Sequence, residues 1–432
     1  MTEKMKPSGI AWIGDIPTGW KVKKIKFYTN IVNGSTPDSS DLNCWDGPIK
    51  WITPADMDNT GIIYEGERTL TQYGYNSCGT SMLPKGSVVV SSRAPIGKIN
   101  ITGDVLCTNQ GCKSLVGETD NRYLYYLLLA GQEELVRLGR GTTFVELSTH
   151  DLSNFGIVLP GSAERTAIAD FLDIQCAKID SVIADIEKQI ETLQKYKKSL
   201  ITEAVTKGLD RFVPMKDSDI EWVGKIPEHW QVKRLSYECE RIGDIDHYMP
   251  DSVDEGIPYI MTGDLIGDSN EIDFENCKQI SEQDYQRLSR KMKPILNDVI
   301  FARYATIGTV RIVDFDREFL VSYSCAIIRP KKSLHGKYLF YYLKSNAFYE
   351  EISKYINTNT QGNVGIDSLG RAKVPIPHLE EQIKISDFLD KKCRLIDDVI
   401  SDKKKQLESI KQHKQSLIYE YVTGKKRVTE VT

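Results

Sequence analysis

The chain repeats itself. Residues 5–25 read MKPSGIAWIGDIPTGWKVKKI and residues 215–235 read MKDSDIEWVGKIPEHWQVKRL, so Trp12, Gly14, Pro17 and Trp20 are matched by Trp222, Gly224, Pro227 and Trp230 at an offset of 210. A second pair of blocks closes each copy, DFLDIQCAKIDSVI at 170–183 against DFLDKKCRLIDDVI at 387–400, now offset by 217. It runs on to SLITEAVT at 199–206 and SLIYEYVT at 416–423. Between the blocks the likeness is faint. Arg93 followed by Ile96-Gly97 resembles Arg303 followed by Ile307-Gly308, and Tyr123-Leu124 with Tyr126 resembles Tyr338-Leu339 with Tyr341. Self-similarity at a long period means one structural unit built twice. Alike ends and unlike middles mean one scaffold carrying two different surfaces.

The closing blocks have a helical period. Leu172, Cys176, Ile179, Ile183, Ile186, Ile190, Leu193, Lys197, Leu200 and Ala204 step by four and three, as do Leu389, Cys393, Ile396, Ile400, Lys403, Leu407, Ile410, Lys414, Leu417 and Tyr421. This is an a/d seam sustained over more than four heptads. It predicts helices of about 43 residues, from Ala163 to near Val205 and from Glu380 to near Val422, each roughly 65 Å long. Lone stripes would be exposed, so the two seams are expected to bury each other. No proline or glycine interrupts either helix; Gly208 and Gly424 supply the stops. Lys197 and Lys414 share one seam position. Two readings stay open for them, a register-fixing charge or a buried stem with its ammonium in water.

The middles, about 26–160 and 236–377, read as mixed α/β globules. Strand candidates are SVVVSS at 87–92, DVIFAR at 298–303 and SCAIIRP at 324–330, and each globule ends in a strand meeting proline, IVLP at 157–160 and VPIP at 374–377. At 432 residues, two or three domains are expected from a prior of about 150 residues each. The hydrophobic share of 40% is enough for their cores. The start, MTEKMK, is charged with no apolar stretch behind it, and no apolar run approaches the roughly 18 residues of a membrane span. Nine cysteines stand singly without CxxC pairs, which fits reduced thiols in a cytoplasm.

No catalytic motif is present. The chain lacks a GxxxxGK[ST] phosphate loop, a glycine-rich S-adenosylmethionine turn and an Asn-Pro-Pro-Tyr adenine pocket. The six histidines stand alone, and Cys107 and Cys112 are spaced wrongly for zinc and have no nearby histidine. A net charge of −4 weighs against nucleic acid, although a DNA-binding face needs only a local basic patch. The composition describes a binder. A coiled-coil scaffold without any DNA role is the competing reading, and a nuclease with a diverged site is a weaker one.

The repeated Trp-Gly-Ile-Pro-Trp segment, the proline-ended strand, the DFLD…ID helix start and the closing SLI…E.VT helix together resemble the specificity subunits of type I restriction-modification enzymes, over essentially the whole chain. The resemblance implies an α+β fold with two mixed α/β target recognition domains, related by the internal repeat and joined by two long antiparallel coiled-coil helices. The domains would span 1–162 and 209–379, the helices 163–208 and 380–426. It implies a non-catalytic, cytoplasmic DNA-binding protein that recognises a bipartite asymmetric site in double-stranded DNA. Two methyltransferase subunits and the motor-nuclease subunits would dock on it. It carries no cofactor; S-adenosylmethionine, ATP and Mg belong to the partners. A related system without a conventional motor stays open.

DNA contacts are expected on polar, glycine-flanked loops, because base edges and phosphates are met by such side chains. In the first globule the candidates are Ser35, Thr36, Lys50, Arg93, Lys98, Asn109, Gln110, Arg140, Thr142 and Thr143. In the second they are Arg303, Tyr304, Arg311, Thr358, Asn359, Gln361 and Asn363. Arg93 and Arg303 recur in both copies, which assigns them to structure or phosphate rather than to base reading. The Trp-containing segments lack the charge for phosphate contact and read as packing clasps at the helix ends.

Overall fold

The computed structural model describes residues 4–59, 61–93, 95–117, 121–141, 145–357 and 362–428. It divides into two compact units, Met1–Ile186 with Lys405–Thr432, and Glu187–Lys404. In the first unit, strands order as Asn30–Asn33, Cys112–Val116, Val88–Ser91, Ile99–Thr102 and Ile62–Ile63 in one sheet. A smaller sheet orders Cys107–Thr108, Trp45–Ile52 and Thr69–Leu70. The second unit repeats the plan with Cys239–Gly243, Cys325–Pro330, Val299–Ala302 and Val310–Ile312, beside Lys278–Ile280, Ile257–Ile260 and Leu320–Val321. The central strands, VVVS and VIFA, are buried along their whole length. A β-branched apolar run suits a strand covered on both faces.

The proline-ended strands pair with the segment after each Trp motif. Gly156–Leu159 runs antiparallel to Lys21–Lys24, and Lys373–Ile376 to Gln231–Arg234. Against each large sheet packs the tyrosine helix, Arg122–Ala130 or Gly336–Lys344.

The long helices span Ser162–Lys207 and Leu379–Val422. Every seam position named above is buried or half-buried. Beyond them, Gly208 (φ +73°) and Gly424 (φ +72°) adopt the left-handed backbone that a β-carbon disfavours. The Trp motifs meet these ends. In the first unit a β-carbon on Gly424 would lie 2.4 Å from Pro17 Cδ and 3.1 Å from the Trp20 ring. In the second, Gly208 faces the Trp230 ring at 3.3 Å and Pro227 at 3.8 Å. Trp20 also donates through Nε1 to Glu164 Oε2 at 3.2 Å. These segments are clasps.

Each tyrosine helix ties a proline-ended strand to the end of a long helix. The Tyr123 hydroxyl lies 3.0 Å from the Val158 carbonyl oxygen and 2.9 Å from that of Val422, sharing its one proton between them. Tyr338 does the same with Pro375 at 2.8 Å and Val205 at 3.1 Å. Tyr126 and Tyr341 each donate at 2.7 Å to a carboxylate in the first half of a long helix, Asp173 and Asp390. The first unit is therefore closed by the end of the second helix, and the second unit by the end of the first.

The seam lysines end on carboxylates, not in water alone. Within the second unit Lys197 Nζ reaches both oxygens of Asp397, and within the first unit Lys414 Nζ reaches both of Asp180. Of the two readings, the solvated ammonium is set aside.

Candidate nucleic-acid interface

In each unit the central strand runs out at the same place, where several loops converge. Past Val88–Ser91, Ser92 donates from its backbone to the Gly111 carbonyl at 2.7 Å and accepts from Leu147 N at 2.8 Å. Ahead of Leu147 the backbones of Arg140 and Glu146 exchange bonds of 3.0 and 2.9 Å. Ser35 N donates to the Thr108 carbonyl at 2.9 Å, and the Thr36 hydroxyl is hydrogen-bonded to the Gln110 side chain. A β-carbon on Gly34 would lie 2.1 Å from Asn109 O, so only glycine lets these two loops approach. Asn109 turns its own loop by accepting from Gly111 N at 2.9 Å.

Of the first-globule candidates, Ser35, Thr36, Asn109 and Gln110 are thus brought together. Arg93 follows Ser92 directly and is half-buried. The Arg140 side chain is 79% exposed, with Asp151 only at 3.7 Å. Lys98 spends its ammonium on the Pro54 carbonyl at 2.8 Å. Lys50 lies on the smaller sheet, where its ammonium meets the Asp104 carboxylate at 2.8 Å. Thr142, Thr143, Thr358, Asn359 and Gln361 lie outside the described residues. Cys107 and Cys112 are sealed thiols, pushed by burial up to about 11 and about 12.

The second unit has the same hydrogen-bond frame. Arg303, past Val299–Ala302, donates from its backbone to Ser324 O at 2.9 Å and accepts from Val364 N at 3.0 Å, as Ser92 does with Gly111 and Leu147. Strand register agrees. Val88 pairs with Ile101 and Val299 with Ile312, and Gly97 N bonds Ser91 O as Gly308 N bonds Ala302 O. The counterpart of Arg303 is therefore Ser92, not Arg93; Arg93 falls opposite Tyr304. The expected recurrence of one arginine in both copies was a slip of one residue.

Two second-globule candidates are corrected. Arg303 is 4% exposed, and its guanidinium bonds Asp244 Oδ2 at 2.7 Å, Tyr323 O at 2.8 Å and Val364 O at 3.2 Å. Arg311 is 1% exposed and donates to the carbonyls of Glu271, Val310, Ile266 and Gly267 at 2.7–3.0 Å. Burial lowers its pKa. Neither guanidinium is free to meet a phosphate; both hold loops to the sheet. Tyr304 and Asn363 do meet at the sheet end, joined by a backbone bridge, and Asn363 also bridges Asn357.

Sequence reasoning missed the cluster around Asp244. Its carboxylate takes Arg303 on one oxygen and Lys291 on the other at 3.1 Å, with His247 Nε2 at 3.4 Å. The His247 ring stacks on Tyr323, centroids 4.7 Å apart at 21°. Arg287 lies over the Tyr248 ring at 4.4 Å. Basic groups interleaved with rings suit a nucleic-acid surface. The signal was available: counted from Gly97 and Gly308, GDIDHY at 243–248 occupies the place of the NGSTP loop.

The comparisons agree with the two-fold plan. The sequence profile described as "Type I restriction modification DNA specificity domain" matches residues 17–192 and again 227–409. The chain belongs to that family. It is similar to the type I restriction enzyme MjaIX specificity subunit of Methanocaldococcus jannaschii, 36% identical over 233 residues. That match covers 52% of each protein, so the chain spans about half the length of this curated relative. The MjaVIII specificity subunit of the same organism is 30% identical over 315 residues, 72% of this chain and 71% of that one. The EcoBI specificity subunit of Escherichia coli is 24% identical over 383 residues, 86% and 78%. A chain from a solved structure of a type I R-M system shares the fold, with a TM-score of 0.63 over 94% of this chain and 98% of that one at 17% identity. Among the described residues no helix is long and apolar enough to cross a membrane.

Proposed function

We propose that this chain is the DNA-recognising specificity subunit of a type I restriction-modification enzyme, without catalysis of its own. The observation that carries the reading is one hydrogen-bond frame built twice with different side chains at its end, in a chain whose two halves both match the family. That is what recognition of a bipartite, asymmetric site in double-stranded DNA requires, one half-site per globule. The long helices pair antiparallel as a coiled coil. Lys414 with Asp180 and Lys197 with Asp397 support this, since numbering falls along one helix as it rises along the other. The helices and their flanks are where methyltransferase subunits, two by the repeat, and motor-nuclease subunits dock. S-adenosylmethionine, ATP and Mg act in those partners.

Ser35, Thr36, Arg93, Asn109, Gln110 and Arg140 form the contact set of the first globule, with Tyr304 and Asn363 in the second. The test is methylome sequencing of cells expressing this chain with its methyltransferase. A split adenine-methylation site is expected, and replacing residues 26–155 by the matching region of a relative should change one half only. Both halves changing together, or no sequence-dependent methylation, overturns the reading.

A further inference from the structure

The register that corrected Arg93 also aligns two side-chain pairs. Val32 and Gly243 are counterparts, each opposite the middle of its neighbouring strand, at Ser114 and Ile327, which in turn face Val89 and Ile300. Four residues on from these counterparts stand Thr36 and His247. Cys112 and Cys325 are counterparts as well, facing Ser91 and Ala302. Two residues before them stand Gln110 and Tyr323. The Thr36–Gln110 hydrogen bond and the His247–Tyr323 stack are therefore the same contact in the two units, made with different chemistry.

We propose that this paired position, Thr36 with Gln110 and His247 with Tyr323, determines which bases each globule accepts, reading base edges of double-stranded DNA. The inference rests on the DNA-recognition reading and adds the residues that set it. The pairs sit where loops converge at a rigid sheet end, as a reader must be held. Both are accessible: Gln110 is exposed, and the His247 side chain is 58% exposed. Both carry hydrogen-bonding groups of the kinds that discriminate base edges. The supports differ to match. In the second unit Asp244, anchored by Arg303 and Lys291, reaches His247 and makes it the better-fixed member. In the first unit the counterpart of Asp244 is Asn33, which accepts from the Thr149 hydroxyl at 3.0 Å. Asp244 is thus a positioning residue.

The experiment is a transplant in the full chain, co-expressed with the methyltransferase and read by methylome sequencing. His247→Thr with Tyr323→Gln should change or relax the second half-site by at least tenfold in relative methylation, leaving the first half-site as it was. The single variant His247→Ala, and Thr36→His with Gln110→Tyr in the other unit, give independent readings of each half. Circular-dichroism melting confirms that each variant folds. Folded transplants that keep both wild-type half-sites overturn the inference while the subunit reading stands. A wild-type chain that directs no sequence-dependent methylation overturns the reading beneath it.

Discussion

Lys197 holds its ammonium 2.7 Å from each oxygen of the Asp397 carboxylate, from a seam position where leucine or isoleucine would be ordinary. The lysine side chain is 9% exposed and the aspartate 49%. A buried cation thus meets a carboxylate that water still reaches. Asp397→Ala strands the ammonium in the seam and should cost about 2–4 kcal/mol, somewhat below a fully buried pair because solvent relieves part of the loss. Lys197→Met removes charge and desolvation together and should be neutral or stabilising. Urea unfolding checks the order; equal midpoints for the two variants would show that the pair contributes nothing beyond packing.

Tyr123 and Tyr338 each share one proton between two buried carbonyls, and one of those carbonyls belongs to a long helix's last turn. Phenylalanine at either site leaves both acceptors without it, at about 1–3 kcal/mol. The loss should be local. Tyr338→Phe should speed amide exchange near 201–208 and Tyr123→Phe near 418–424, each sparing the other region.

Gly208 and Gly424 differ in what surrounds them. Both have positive φ, so alanine costs about 1–2 kcal/mol at either. At Gly424 the β-carbon also collides with Pro17 at 2.4 Å, whereas at Gly208 its nearest neighbours are at 3.2 and 3.3 Å. Gly424→Ala should therefore lower the melting temperature more than Gly208→Ala.

The Arg303 guanidinium is committed to Asp244, so its loss should register in stability and not in DNA binding. Arg303→Ala leaves Asp244 buried with one fewer partner and should cost about 3–5 kcal/mol. Unfolding should report it. The salt dependence of DNA binding by folded protein should not change, whereas a phosphate contact would make the slope shallower by about 1.

Tyr126 and Tyr341 are pushed well above the usual tyrosine range, first by burial and then by donating to Asp173 and Asp390. A raised folded-state pKa gives stability that is complete below the unfolded value, about 10, and lost as pH rises beyond it. Melting temperature should begin to fall above about pH 8.5, where thiols of the unfolded chain ionise while buried Cys107 and Cys112 do not, and fall more steeply beyond about 10 as the tyrosines join. Tyr341→Phe should make that fall less steep; an unchanged alkaline slope would remove the tyrosine from the account.

What could be read from the sequence was what is periodic or local. The seam from Leu172 to Ala204, the glycine stops and the Trp clasps all follow from spacing within a few residues. The sheet ends were less legible, because matching them needs hydrogen-bond register. One-letter identity put Arg93 opposite Arg303, and backbone pairing moved the match to Ser92. Arg311 read as a surface arginine because charge says nothing of burial, and two of its four carbonyl partners, Gly267 and Ile266, lie 44 and 45 residues away. Asp244 and Arg303 are 59 residues apart and become neighbours only once the sheet is built.

The closing of each unit by the other repeat's helix sets an order of manufacture. Residues 187–404 form one unbroken stretch, and once translated they hold every part of their unit. The stretch before them does not. Its core includes Ile418 and Val422, and its Trp20 waits for Gly424, all made only after the second unit is complete. Multidomain chains generally fold from the N-terminus as they emerge. Here the part made first must finish last, standing open on the ribosome with its apolar face uncovered while some 220 further residues are added.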